Sequence, residues 1–358
     1  MTIIYILAAI LIFGILIAVH EWGHFIAARL CGATVHEFAI GMGPALYQRE
    51  KKGTKYAIRL LPIGGYCALE GEEEGEDSDD PHSLNNQGFW KKVIIFAAGA
   101  LMNFLVGFLI ILCLYASAEA FRTTEITGFF DGCPYQGEEG LQVGDAFYSI
   151  DGHRIYLFSD ISTYLARGNG QTFDLVVIRD GEKVTLNDFP MTTREYTQAD
   201  GTTFTGYGFY LNGVEEATLG AKLRVSWYNS IDFVRLIWMS LGDLITGRAG
   251  MQDLSGPVGI VSTITQVGEQ SASFLEALEN IAYFGALIAV NLAVMNLLPI
   301  PALDGGKIFF LAVNALCMLV VKRQIPPKYE NYIHAAGFAL LMLLMIAVTF
   351  QDVFRLFQ

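Results

Sequence analysis

Charge is scarce in this chain of 358 residues. Asp, Glu, Lys and Arg make up 16% of it, and 53% is hydrophobic. That balance excludes an ordinary soluble globular protein and places the chain in a membrane class. Positive charge is scarcer still: 23 Lys and Arg face 36 Asp and Glu, for a formal charge of -13. Nucleic acid is excluded as a partner, because phosphate recognition needs a basic field. Part of the acidic excess is one run, Glu70 to Asp80, which reads as a solvated loop. The five cysteines are too few and too scattered for a disulfide framework. Cys113 and Cys317 fall in apolar runs, as small hydrophobes do.

What the chain has instead is long apolar runs. Four approach the ~20 residues that cross a bilayer core as a helix: Thr2 to Val19, Val93 to Ala118, Ile281 to Leu303 and Tyr332 to Phe350. The run Ile308 to Val321 is shorter and follows Gly305-Gly306, so a re-entrant or interfacial helix is expected there. The first run is not expected to be a signal peptide. It has no basic leader, and it continues into His20-Glu21-Trp22-Gly23-His24 without a small-residue cleavage site. Basic residues set the orientation. Arg29, Arg49, Lys51, Lys52, Lys55, Arg59, Lys91 and Lys92 lie between the first two spans, and Lys307, Lys322, Arg323 and Lys328 between the last two. Both loops are therefore expected in the cytoplasm, with the N-terminus, the segment after Ala118 and the C-terminus outside.

These features divide the chain into residues 1–118, 122–213, 217–280 and 281–358. Residues 122–213 read as a small β-rich domain. In it, Gly140-Leu141-Gln142-Val143-Gly144-Asp145 makes a turn, Ala146 to Ile150 a strand and Asp151-Gly152 a second turn. Ser159 to Arg167 suits a short helix, and Asp180-Gly181 joins the strands Thr172 to Arg179 and Lys183 to Leu186. This order resembles a circularly permuted PDZ domain; a generic β-rich domain is the alternative. Ala217 to Gly247 is amphipathic and carries Arg224, Asp232, Arg235 and Asp243, so it is expected to lie on the membrane surface or pack under that domain, not to span.

The chemistry centres on His20-Glu21-Trp22-Gly23-His24. On a helix, positions i and i+4 share a face, so both imidazoles can bind one zinc ion. Glu21 is then placed to take a proton from water that the metal acidifies. A helix end carrying two histidines is the plain alternative, but these residues continue an unbroken apolar run, where ionisable side chains mark function. Catalytic zinc usually takes three protein ligands. Asp304 is the outstanding acid in an apolar setting, at the end of the third run. By the charge rule the first and third spans run in the same direction. His20 lies about 30 Å along the first at ~1.5 Å per residue, at the same cytoplasmic end as Asp304. The β-rich domain, on the far side of a bilayer core about 30 Å thick, is expected to regulate access and not to share in the chemistry.

Pro299 and Pro301 oppose helix and favour an extended segment. A protease acting on a transmembrane helix must hold its substrate extended, and strand addition to an edge does that. Two edges are candidates: Asn296 to Leu303, and a pair of short strands, Val35 to Ile40 and Lys55 to Leu60, followed by Pro62-Ile63-Gly64-Gly65-Tyr66.

The chain resembles the site-2 protease family of intramembrane metalloproteases, in the bacterial branch that regulates sigma factors. His20-Glu21-Trp22-Gly23-His24 matches the family's zinc motif, Asn296 to Gly306 its Asn-x-x-Pro-x-Pro-x-Leu-Asp-Gly motif, and Gly99-Ala100-Leu101-Met102-Asn103 its Gly-x-x-x-Asn motif. Phe38 to Pro44 and Leu61 to Tyr66 resemble its membrane-associated β element, and Leu254 to Ile260 the segment before its third helix.

The resemblance implies a polytopic α-helical protein of the bacterial cytoplasmic membrane. About four transmembrane helices would be joined by the β element and one inserted PDZ-like domain. It implies zinc on His20, His24 and Asp304, Glu21 as base, Asn296 on the substrate backbone and Asn103 near the active site. It further implies substrates with a single transmembrane helix, cut earlier by a site-1 protease, in release of an anti-sigma factor or clearance of remnant signal peptides. Many relatives carry two PDZ domains where this chain has room for one. Two rivals remain open at this point: a metalloprotease whose soluble zinc domain is anchored by helices, and a non-enzymatic scaffold or ion pathway.

Overall fold

The computed structural model describes residues 2–72, 80–198, 201–323 and 325–355. Most of the acidic run Glu70 to Asp80 lies outside the described residues. In chain order the elements are α1 (Thr2–Cys31), β1 (Val35–Lys51), β2 (Thr54–Leu69) and α2 (Phe89–Leu114). Then come β3 (Ala120–Arg122), β4 (Gly128–Phe129), β5 (Ala146–Ile150), β6 (His153–Arg154), α3 (Phe158–Arg167), β7 (Thr172–Arg179) and β8 (Glu182–Pro190). The chain continues through β9 (Arg194–Thr197), β10 (Thr203–Gly206), β11 (Phe209–Tyr210), β12 (Val214–Glu216) and α4 (Leu219–Thr246). It ends with α5 (Pro257–Gln270), α6 (Phe274–Asn296), α7 (Asp304–Val320) and α8 (Pro327–Arg355). Two compact units result, one from Met1–Ile111 with Phe233–Gln358 and one from Leu112–Asp232.

Four described helices are long and apolar enough to cross a membrane: Ile3–Cys31, Phe89–Ser117, Phe274–Asn296 and Lys328–Arg355. One face of α1 leaves Ile3, Leu7, Leu11 and Ile15 exposed. Its other face buries Tyr5, Ala9 and Leu16 against Ile264 of α5 and Ala277, Ile281 and Ile288 of α6. An apolar stripe left open on an already apolar helix suits lipid contact. Two helices depart from the expected bounds. α1 continues past Val19 to Cys31, so the zinc-type motif sits inside one uninterrupted helix. α6 begins earlier than Ile281 and stops at Asn296 instead of Leu303. Its start is capped by Ser273, whose Oγ accepts from Glu276 N–H at 3.1 Å, while Glu276 accepts from Ala272 N–H at 3.0 Å. Its end follows from Pro299, which supplies no N–H and disfavours helix at the residue before it. The expected single segment 217–280 is three pieces: α4, α5 and the start of α6.

The expected short strands are parts of a longer hairpin, 17 and 16 residues in β1 and β2. Gly41, Gly43 and Gly64 all have positive φ, and the register shifts repeatedly along the pair. Bulges of this kind bend a strand without ending it, which is why glycine punctuation understated its length. Residues 37–40 have partners on both sides, 65–68 on one edge and 55–58 on the other. The hairpin's base is bolted to the helices. Val35, Cys67 and Leu69 share a buried cluster with Ala27 and Ala28 of α1 and Ile95 of α2.

In the second unit, β6-β5-β7-β8 form a four-stranded sheet. Asp180 and Gly181, both at positive φ, make the β7–β8 turn as expected. The loop Gly140 to Asp145 is fixed by the fully buried Asp145, which takes two hydrogen bonds of 2.8 Å from Arg179 and one of 2.8 Å from Gln142 N–H. Asp160 caps α3, accepting from Tyr156 N–H at 2.7 Å.

Candidate metal centre

α1 presents His20 and His24 one turn apart on one face. His24 Nδ1 donates to the Ile95 carbonyl of α2 at 2.8 Å. On the neutral ring this leaves Nε2 with a lone pair, the tautomer a metal ligand needs. The two Nε2 atoms lie 3.2 Å apart. Asp304 Oδ2 lies 3.2 Å from His20 Nε2 and 3.3 Å from His24 Nε2. Zinc bonds of about 2.0–2.1 Å in tetrahedral geometry put ligand atoms roughly 3.3–3.4 Å apart, so the three atoms are spaced as one face of such a site. Asp304 Oδ2 is buried with no hydrogen-bond partner among the described residues. Three acceptors facing one point fit a bound cation.

Local sequence explains the closeness. A β-carbon on Gly99 would lie 2.4 Å from His24 Nε2 and 2.7 Å from His20 Cε1, so only glycine lets α2 close on both rings. Asp304 is the first residue of α7, where the helix dipole favours a carboxylate. It is delivered by turns. Leu297 and Leu298 N–H donate to Val294 and Met295 at 3.1 Å, Ile300 N–H to Leu298 at 2.7 Å, and Leu303 N–H to Ile300 at 3.2 Å. The expectation that Asn296 to Leu303 is extended is therefore corrected: the segment bonds to itself. A β-carbon on Gly305 would lie 2.3 Å from the Leu297 and Leu298 carbonyls, and one on Gly306 2.4 Å from that of Ile300, so the Gly-Gly pair is what allows α7 to start beneath these turns.

His20, Glu21, His24 and Asp304 line one cavity of about 670 Å³. Tyr66 and Cys67 of β2 form another wall. β2 also meets Glu21 directly, since a β-carbon on Gly65 would lie 3.3 Å from Glu21 Cγ. Asn296, Pro299, Pro301 and Asn103 are not among the lining residues. Asn296 ends α6, and Pro299 and Pro301 lie in the turns. Asn103 sits one turn beyond Gly99, 1% exposed, its amide without a hydrogen-bond partner among the described residues.

Sequence reasoning did not place His36, Glu72, Lys307 or Cys67 in this cavity. Glu72 and Lys307 pair across it, Nζ to Oε1 at 2.7 Å. Glu72 was hidden in the acidic run. Lys307, a lone base three residues after Asp304 at the start of an apolar stretch, carried a readable signal. Cys67 is a rival ligand by position. Burial, then the charges of Glu21 and Glu72, push its thiol up to about 12, and its sulfur is not among the converging donor atoms, which are those of His20, His24 and Asp304.

The profile of peptidase family M50 matches residues 8–344. A Clostridium perfringens protein provisionally named a zinc metalloprotease is 35% identical over 350 residues, covering 98% of each chain. The zinc metalloprotease RasP of Shouchella clausii is 29% identical, and the regulator of sigma-W protease RasP of Bacillus subtilis 27%, each over 98% of this chain and 99% of the relative. These two alignments run to 434 and 432 positions, so both relatives carry stretches for which this chain of 358 residues has no counterpart. The chain thus belongs to peptidase family M50, the site-2 proteases, and is a zinc metalloprotease.

Proposed function

We propose that His20, His24 and Asp304 hold the zinc and that Glu21 is the general base for cleaving a peptide bond in or near a transmembrane segment of another membrane protein. One observation carries this reading: three acceptor atoms converge at 3.2–3.3 Å in the cavity that Glu21 lines. Bound zinc supplies a Lewis acid that makes hydroxide available near neutral pH. Glu21 accepts a proton from the attacking water and returns it to the amine that leaves. The carbonyl of Ile95 holds His24 in the ligating tautomer.

The substrate strand is held at the outer edge of β2. Gly65 lies against Glu21, and residues 65–69 have register partners on β1 alone among the described residues. Asn296 contacts the substrate backbone, Pro299 and Pro301 belong to the substrate-binding segment beside it, and Asn103 lies near the site. The protein is read as multi-pass in the bacterial cytoplasmic membrane, with the metal centre near the cytoplasmic side; the four candidate spans and the distribution of Lys and Arg support that reading. Residues 122–213 are read as one PDZ-like substrate filter. Substrates are single-span membrane proteins already cut by an upstream protease, as in release of an anti-sigma factor; the name of the Bacillus subtilis relative supports that class. An anchored soluble zinc domain fits less well, because Asp304 follows an apolar helix suited to a membrane. A scaffold leaves Glu21 without a task.

Glu21→Gln tests the reading. Cleavage of a membrane-embedded substrate falls at least about 100-fold, while zinc stays near one per chain. Residual turnover within tenfold of wild type removes Glu21 as the base. Loss of zinc along with turnover makes it a ligand instead.

A further inference from the structure

The turn before Asp304 does not stand alone. Ala302 has φ of 76°, a left-handed conformation that a β-carbon disfavours. The turn's internal bonds use the N–H groups of Ile300 and Leu303, and Pro301 has none. The Ala302 N–H leaves the turn and donates to His334 Nδ1 on α8 at 2.9 Å. One turn further along α8, a β-carbon on Gly337 would lie 2.5 Å from Pro301 Cβ, so α8 receives Pro301 in a notch. Phe310 of α7 packs on the His334 ring, centroids 5.1 Å apart. On a neutral ring whose Nδ1 accepts, the proton sits on Nε2, which faces Glu330 Oε1 at 4.0 Å.

We propose that His334 is the positioning residue for Asp304: by accepting the Ala302 N–H it holds the left-handed turn that aims the carboxylate at His20 and His24. This rests on the reading of Asp304 as a zinc ligand. The leverage is geometric. Asp304 lies two Cα steps of about 3.8 Å beyond Ala302, so a rotation of about 20° there moves it by roughly 2–3 Å. That displacement rivals the 3.2 and 3.3 Å spacings to the histidines. His334 and Gly337 also explain why Ala302 keeps a conformation that it would not choose in a free loop.

The test uses the full-length enzyme in detergent or bilayer and reads zinc release to a chelator, kcat and KM. His334→Phe keeps a ring against Phe310 but removes the acceptor. His334→Asn keeps an acceptor near the Nδ1 position. The Phe variant weakens zinc retention about 10- to 100-fold, as loss of a group that orients a ligand does; kcat falls and KM stays within about twofold. The Asn variant restores most of both. Gly337→Ala, which pushes on Pro301 from the same helix, reproduces the loss if the Phe variant does not fold. Folded variants that hold zinc as wild type does overturn the proposal, as does a loss that Asn fails to rescue. Asp304→Asn run alongside separates the two ideas. If it too keeps zinc, the ligand reading fails and takes this inference with it; if it loses zinc, the His334 results bear on positioning alone.

Discussion

The proposed metal centre takes its donors from two kinds of support. His20 and His24 come from one unbroken helix, Thr2–Cys31, whose pitch alone puts them together. Asp304 comes from a run of turns between α6 and α7 that contains Gly305, Gly306 and, at positive φ, Ala302, and donates a hydrogen bond to another helix. The first arrangement is local and reads directly from five consecutive letters. The second is assembled from distant parts, so its failures spread to residues that touch no metal.

The largest expected effect lies on the helical side. His24→Ala removes one of the two imidazole donors of the proposed centre. Zinc content then falls well below one per chain, and cleavage drops by at least about 1,000-fold. Metal analysis and a cleavage assay on the same preparation check this. Zinc retained at one per chain would remove His24 from the ligand set.

A smaller effect comes from the wall that both histidines lean on. The β-carbon in Gly99→Ala meets both imidazoles. Overpacking of this kind costs about 1–3 kcal/mol of stability, and displacing reacting groups by about 1 Å costs on the order of 100-fold in rate. The expected signature is a large fall in kcat with a modest fall in thermal midpoint. Equal insensitivity in both would show that α2 does not position the rings.

The smallest effect belongs to the pair that joins the turn side to the β element. Glu72 and Lys307 are each about one-third exposed. Pairs of that kind contribute about 0–1 kcal/mol. Glu72→Gln therefore leaves zinc content unchanged and shifts the unfolding midpoint little. A loss of zinc comparable to that of His24→Ala would make Glu72 part of the metal centre.

The same contrast explains what was legible in the sequence. Apolar runs long enough to cross a bilayer stand out because their solvent demands them, and four of the described helices meet that length. The histidine pair stands out by helical period, and Asp304 by being an acid at the end of an apolar run. The true end of α6 was partly legible in Pro299. The length of the β1–β2 hairpin was not, because bulged glycines look like turns until their neighbours are known. Lys307 and Glu72 meet across 235 residues of sequence, and Ala302 and His334 across 32. Periodicity cannot report contacts of that kind. Cys67 escaped notice for the same reason: only the fold brings its strand to the cavity.

Cys67 also sets the most direct test. The proposed set of two imidazoles and one carboxylate would give the zinc only nitrogen and oxygen donors, whereas a ligating Cys67 would add sulfur. Zinc-edge X-ray absorption of the purified enzyme distinguishes them. The account predicts a first shell at about 2.0–2.1 Å with imidazole scattering behind it, unchanged in Cys67→Ser. A sulfur shell near 2.3 Å that disappears in Cys67→Ser would contradict it.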